Sequence, residues 1–184
     1  MTQPTTDSDA ILSLWFDVIA PKDWWAKSDE FDRMVESRFG ATLIAAKLCE
    51  LFDWRNTANG RLAEIIVLDQ FSRNIHRDHP DAFANDAMSL ALAQTAVAAG
   101  ADDELELERR AFLYLPYMYS ESPVIHSIAV ALFSAPGMEY QLDFERHHKT
   151  IVDRYGRYPR RNAILGRAST PEELEFFQTA GSSF

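Results

Sequence analysis

A single cysteine, Cys49, in a chain of 184 residues excludes an intrachain disulfide, and no Cys and His spacing builds a zinc-ligand framework. No apolar run approaches the length needed to span a bilayer, and Met1 to Asp9 is polar and acidic where a secretory signal would be basic and then apolar. The cytoplasm is therefore the expected compartment. Motifs of familiar chemistry are missing as well: no Gly-Lys-Ser/Thr phosphate loop, no Gly-rich dinucleotide turn, no His-Glu-x-x-His and no Gly-x-Ser-x-Gly. Adjacent His147 and His148 would point about 100° apart on a helix, which is wrong for chelating one metal. No cofactor and no metal is expected.

What is present is apolar surface in quantity. Apolar residues make up 47% of the chain and aromatic residues 12%, enough burial to offset the entropy of ordering the backbone. No break in composition marks a second domain, so one helical domain over 1–184 is expected, with residues 1–7 disordered and 179–184 flexible. The formal net charge is −10, but it is uneven: from Arg146 to Arg167 seven bases face one acid, Asp153, a net of +6 that leaves −16 on the rest. An acidic body repels nucleic acid and anionic membrane, and neither is expected as a partner.

Gly and Pro divide the chain into segments of helical length with helical apolar spacing, and no convincing strand pair is visible. Ser8 or Asp9 can cap a first helix ended by Pro21, and Ser28 a second through Phe39. A further helical run covers about Ala41 to Phe52, and Asn59-Gly60 reads as a turn opening a helix from Arg61 to Ile75. Pro80 suits the first turn of a helix that Gly100 closes. From Asp103 the chain reads helical until Pro116 kinks or stops it, and Ser122-Pro123 starts the next helix. Met138 to Tyr155 is a long amphipathic helix ended by Gly156. A short helix follows Pro159 and is stopped by Gly166, and Thr170-Pro171-Glu172-Glu173 has capping-box spacing. The expected fold is all-α, about eight to ten helices packed as antiparallel hairpins.

Three segments carry candidate site residues. In the Arg61 to Ile75 helix, apolar residues cover nearly every side, the mark of an interior helix. Yet Asp69, Gln70 and Arg73 lie on it together, with Asn74 beside them. A buried charge must be paired and hydrogen-bonded, so this is either a structural ion pair, Asp69 with Arg73 four residues on, or one wall of a ligand site. The second segment runs from Arg110 to Glu121 and holds Tyr114 and Tyr117 around Pro116; an aromatic core with polar tips is the plainer reading. In the third, His147 to Asn162, the arginines Arg157 and Arg161 offer forked donors suited to carboxylate or phosphate, and pairing with the acidic body is the alternative. His148 shares a face with Val152 and Tyr155 and should be semi-buried.

These segments, with Trp15-Phe16 near the start, resemble a bacterial family known as domain of unknown function 924. The matching stretches are Leu68-Asp69-Gln70-Phe71-Ser72-Arg73-Asn74-Ile75, Phe112 to Tyr117 with Ser120-Glu121, and His148 through Arg154-Tyr-Gly-Arg-Tyr-Pro-Arg-Arg-Asn162 to Leu165-Gly166-Arg167. The resemblance implies an all-helical fold similar to tetratricopeptide hairpins and brings no established activity; Tyr119 stands where the family pattern has His. Two functions are open: a module whose helical hairpins offer a groove to a protein or peptide, or an enzyme or sensor for a small anionic ligand with Asp69, Glu121 or His148 as proton-transfer candidates. Trp24-Trp25 is a candidate patch for a homodimer.

Overall fold

A computed structural model describes residues 6–179. Among the described residues there are nine helices and no strand. Helix α1 begins as Ser8–Leu12 and continues as a π-helical turn, Ser13–Val18. Next in order come α2 (Asp29–Lys47), α3 (Ala58–Ile66), α4 (Asp86–Ala98), α5 (Leu107–Met118), α6 (Pro123–Phe133), α7 (Glu139–Tyr155), α8 (Arg161–Ile164) and α9 (Pro171–Phe176). Past Ile66, α3 runs on through a π-helical turn, Val67–Phe71, into Ser72–Ile75. The expectations for residues 1–5 and 180–184 lie outside the described residues. Thr6 donates its backbone N–H to the Thr42 hydroxyl, and Asp7 caps α1 by accepting from the Ala10 N–H.

Helix α3 is the axis of the fold. Leu62, Ala63, Ile65, Ile66, Val67, Leu68 and Phe71 are all buried, and α1, α2, α4 and α5 pack around it. Its one buried acid before the π-turn, Glu64, is held by both arms of Arg55 at 2.6 and 2.7 Å. A π-turn inserts one extra residue into the helical path and re-aims the side chains beyond it. Here it falls on Asp69 and Gln70 and turns the later Arg73 toward α4. Helix α6 packs between α5 and α7, and a small separate core of Ile151, Val152 and Tyr158 forms beneath α9, against Tyr155 and Phe176.

Helix boundaries depart from the sequence expectation in particular places. The runs on either side of Gly40 form one helix, because a glycine inside a helix costs only about 1 kcal/mol and the α2 face with Val35, Phe39 and Leu43 is buried on both sides of it. Asn59-Gly60 is the first turn of α3 rather than a turn before it, since the Thr57 hydroxyl accepts from the Gly60 N–H. The expected helix from Pro80 is a 3-10 turn, Pro80–Ala82, set apart from α4. Helix α5 runs through Pro116, because every residue from Ala111 to Met118 is buried and packing outweighs the lost N–H. Trp24 is tucked in, its indole N–H on the Trp15 carbonyl, while Trp25 is exposed and stacked on Phe112. The expected aromatic patch is therefore one ring wide.

Gly60 has a separate reason to be glycine. A Cβ there would lie 2.0 Å from the Trp54 carbonyl oxygen, a backbone atom that cannot step aside. Gly60→Ala is expected to lower the unfolding free energy by about 1–3 kcal/mol, read from urea denaturation; an unchanged midpoint would contradict the close approach.

Candidate functional site

The three segments meet. In the middle of the π-turn Asp69 is buried, its carboxylate 2.8 Å from Arg73 Nη1 and accepting from the Gln70 amide. The other arm of Arg73 lies 3.0 Å from Asp86, the first residue of α4. Asp86 also accepts from Arg161, the first residue of α8, at 3.0 Å. The second arm of Arg161 donates to the Tyr119 carbonyl at 2.9 Å. The result is a chain of alternating charge, Asp69, Arg73, Asp86, Arg161, drawn from separate parts of the sequence.

Aromatic rings frame it. Arg73 lies over the Tyr119 ring at 4.6 Å and Arg161 over Phe83 and Tyr158 at 4.7 and 4.8 Å; such faces attract a guanidinium. His148 is buried beside them, its ring 5.7 Å from that of Tyr158, with Nδ1 on the Phe144 carbonyl at 2.9 Å. A carbonyl only accepts, so the neutral imidazole carries its hydrogen on Nδ1.

Burial decides the protonation states. It pushes the Asp69 carboxyl up to about 6 against the opposing pull of Arg73, and it pushes His148 down to about 4. Burial also lowers Arg161, while in Arg73 the same penalty is outweighed by Asp69 and Asp86. For Glu121 burial works upward, but bonds from Arg167 and the Tyr158 N–H prevail, so the carboxyl stays below its ordinary range.

Behind this chain lies a second network. His126 on α6 and Glu145 on α7 are both fully buried, with Nδ1 and Oε1 2.7 Å apart. His126 Nε2 faces the Ser120 carbonyl at 2.9 Å and the Tyr158 hydroxyl at 3.1 Å, and that hydroxyl donates to the Met118 carbonyl. Tyr158 therefore joins both networks, by its ring to Arg161 and by its hydroxyl to His126.

The remaining expected residues divide into two sets. Glu121 ties the third segment down through Arg167 at 2.6 Å and the Tyr158 N–H at 2.7 Å. Arg157 grips Glu173 of α9, which Asn162 also contacts, so these two fix the loop that presents Arg161. Asn74 turns the other way, to Asp32, which Arg77 also holds; with Lys27, Asp29 and Asp78 they line an open cleft of about 260 Å³ that does not include Asp69, Arg73 or Arg161. Tyr114 donates to Asp102 and Arg110 to the Leu105 carbonyl, away from the charged chain. Tyr117 is buried, which pushes its phenol up to about 12. Among the described residues no three His, Cys, Asp or Glu side chains are grouped to hold a metal ion, and no helix is long and apolar enough to cross a membrane.

The fold and its centre define an all-helical protein built around a shared ion-pair chain. The chain belongs to the family described as bacterial protein of unknown function (DUF924), whose model matches residues 11–181, as the sequence resemblance implies. A solved structure of a protein of unknown function from Agrobacterium tumefaciens is similar to it at 33% identity and a TM-score of 0.88, over 93% of this chain and 96% of that one. No curated protein matches.

Proposed function

We propose that the chain, acting as one domain, binds a small molecule with an anionic group at the Arg73–Asp86–Arg161 edge of this centre. The observation that carries the reading is the gradation of exposure: Asp69 is 3% exposed, whereas Arg73 and Asp86 are 20% and Arg161 13% exposed. A purely structural ion-pair chain gains from being closed at both ends, and this one opens two guanidinium forks to water in front of groups with displaced protonation. Glu121 is committed to Arg167, so Asp69 and His148 are the residues for any acid–base step on that ligand. A lone cysteine suits the reducing cytoplasm, where we place the protein.

Arg161→Ala is the test. It is expected to lower stability by about 1–3 kcal/mol and to abolish the thermal shift produced by any hit from a metabolite library. A large stability loss with the ligand-induced shift intact would sink the proposal.

One observation favours a second reading. Each of Arg73, Arg157 and Arg161 has a carboxylate partner, as a structural network requires, while Ile44, Leu48 and Phe52 lie exposed at four-residue intervals along the end of α2 and beyond. On that reading the chain is a tetratricopeptide-like module whose helical surface meets a protein or peptide, a second copy included, and the charged chain holds the helices in register. Ile44→Asp would then abolish a complex seen by sizing chromatography without affecting small-molecule shifts.

A further inference from the structure

The pairing that argues against an empty anion hole also constrains what can enter. Asp69, Arg73, Asp86 and Arg161 are two acids and two bases in alternation, linked at 2.8, 3.0 and 3.0 Å. A simple anion that takes Arg161 must push Asp86 off it, leaving that carboxylate with Arg73 as its one cationic partner and a surplus negative charge beside it. A simple cation that takes Asp86 strands Arg161 in the same way. Breaking a buried pair by removing one partner is the costly way to open it.

A molecule carrying both charges avoids this. Its carboxylate replaces Asp86 on Arg161, its ammonium replaces Arg161 on Asp86, and the alternation is lengthened rather than broken. The link that has to open is Asp86–Arg161, the end of the alternation farthest from Asp69, which is closed off. Its two halves are held unequally. Arg161 is clasped between Phe83 and Tyr158 and anchored to the Tyr119 carbonyl. Asp86 follows an irregular turn, Phe83 to Asn85, where the Asn85 amide goes to Ser72 and leaves the α4 N-terminus without a side-chain cap. Asp86, which keeps Arg73 when it leaves Arg161, is therefore the partner that yields.

We infer that the ligand of this site is a small zwitterion of the free amino acid class, with carboxylate and ammonium a few atoms apart; the inference rests on the function proposed above. The test titrates the full chain with glycine, L-alanine and L-glutamate, and separately with acetate, succinate, methylammonium and inorganic phosphate. Calorimetry gives the affinities, and the Nε–H signals of Arg73 and Arg161 in ¹⁵N NMR locate the site. At least one amino acid is expected to bind roughly tenfold or more tighter than every single-charge probe, about 1.4 kcal/mol, and to move the Arg161 signal. In Asp86→Asn the order should reverse: a neutral amide has no need of the ammonium, so acetate or succinate overtakes the amino acids.

If acetate, succinate or phosphate binds the wild-type chain at Arg161 as tightly as any amino acid, the zwitterion inference falls while the site remains. Binding of the amino acids without movement of the Arg161 signal also overturns it. If no probe binds, and the metabolite library yields no shift that Arg161→Ala abolishes, both the inference and the proposed function fall.

Discussion

His126→Ala is expected to remove about 3–5 kcal/mol of unfolding free energy and to lower Tm by roughly 10 °C or more, on the scale for a chain of this size. Neither His126 nor Glu145 has any exposure, so the truncated site cannot be repaired by water entering from the surface. The substitution leaves a cavity between α6 and α7 and withdraws the one bond that Glu145 makes, its other oxygen being buried without a partner already. A domain is stable by only about 5–15 kcal/mol, which makes this loss a large share. The nature of the pair can be read from a companion variant. Both ring nitrogens of His126 face oxygens, those of Glu145 and the Ser120 carbonyl, and burial pushes the Glu145 carboxyl up. Two assignments satisfy both contacts, with Nε2–H donating to Ser120 in each: a neutral carboxylic acid donating to Nδ1, the one burial favours, or an imidazolium donating to a carboxylate. Glu145→Gln keeps the first pattern, its amide donating in place of the acid, and should cost within about 1 kcal/mol. Equal losses in the two variants, measured by chemical denaturation, would show an ion pair instead.

The contrast between the two networks explains what is legible in the chain alone. Helix α3 announces itself, because a segment apolar on nearly every side has only the interior to go to, and Asp69 with Arg73 four residues later is a pair that one helix makes unaided. His148 is visible as a polar ring on a helix face whose spacing buries it, and Arg161 as a forked donor in a basic segment. Asp86 is not: it opens an Ala-rich helix, and an acid in a first turn is so common a capping preference that nothing marks it as the carboxylate both arginines share. His126 is harder still. It stands alone between Ile125 and Ser127, and its partner lies 19 residues away on α7, so the pairing exists only once α6 and α7 are packed. The π-turn at Val67–Phe71 leaves no trace in composition, since it is a change of hydrogen-bond register rather than of residue type. Tyr114, Tyr117 and Arg110 show the opposite case: they share a segment with Glu121, yet they lie on one face of α5 while Glu121 lies past its end at Met118, so Tyr114 and Arg110 reach Asp102 and the Leu105 carbonyl instead of the charged chain.

Asp69 and His148 pull the pH dependence of stability in opposite directions, and single substitutions should unmask each. The Asp69 carboxyl is raised from 3.8 to about 6 on folding. The folded chain therefore holds that proton more tightly than the unfolded one, and the stability this confers is complete below about pH 4 and is lost as pH rises through about 6. His148 is lowered from 6.5 to about 4. There the unfolded chain binds the proton more tightly, so the associated stability is complete above pH 6.5 and is lost as pH falls through about 4. Each shift is worth on the order of 3 kcal/mol, and over the same interval they largely cancel in the wild-type chain. Asp69→Asn retains the amide bond partners but no titration, and should leave a chain whose stability climbs as pH rises from 4 to 6.5. His148→Gln should leave the reverse slope, with stability falling as pH rises from 4 to 6. Urea midpoints at four or five pH values for the three proteins decide the matter. Parallel curves for both variants and the wild type would mean that neither group changes its protonation on folding, and with that the buried, charge-perturbed centre behind Arg73 and Arg161 would lose its physical basis.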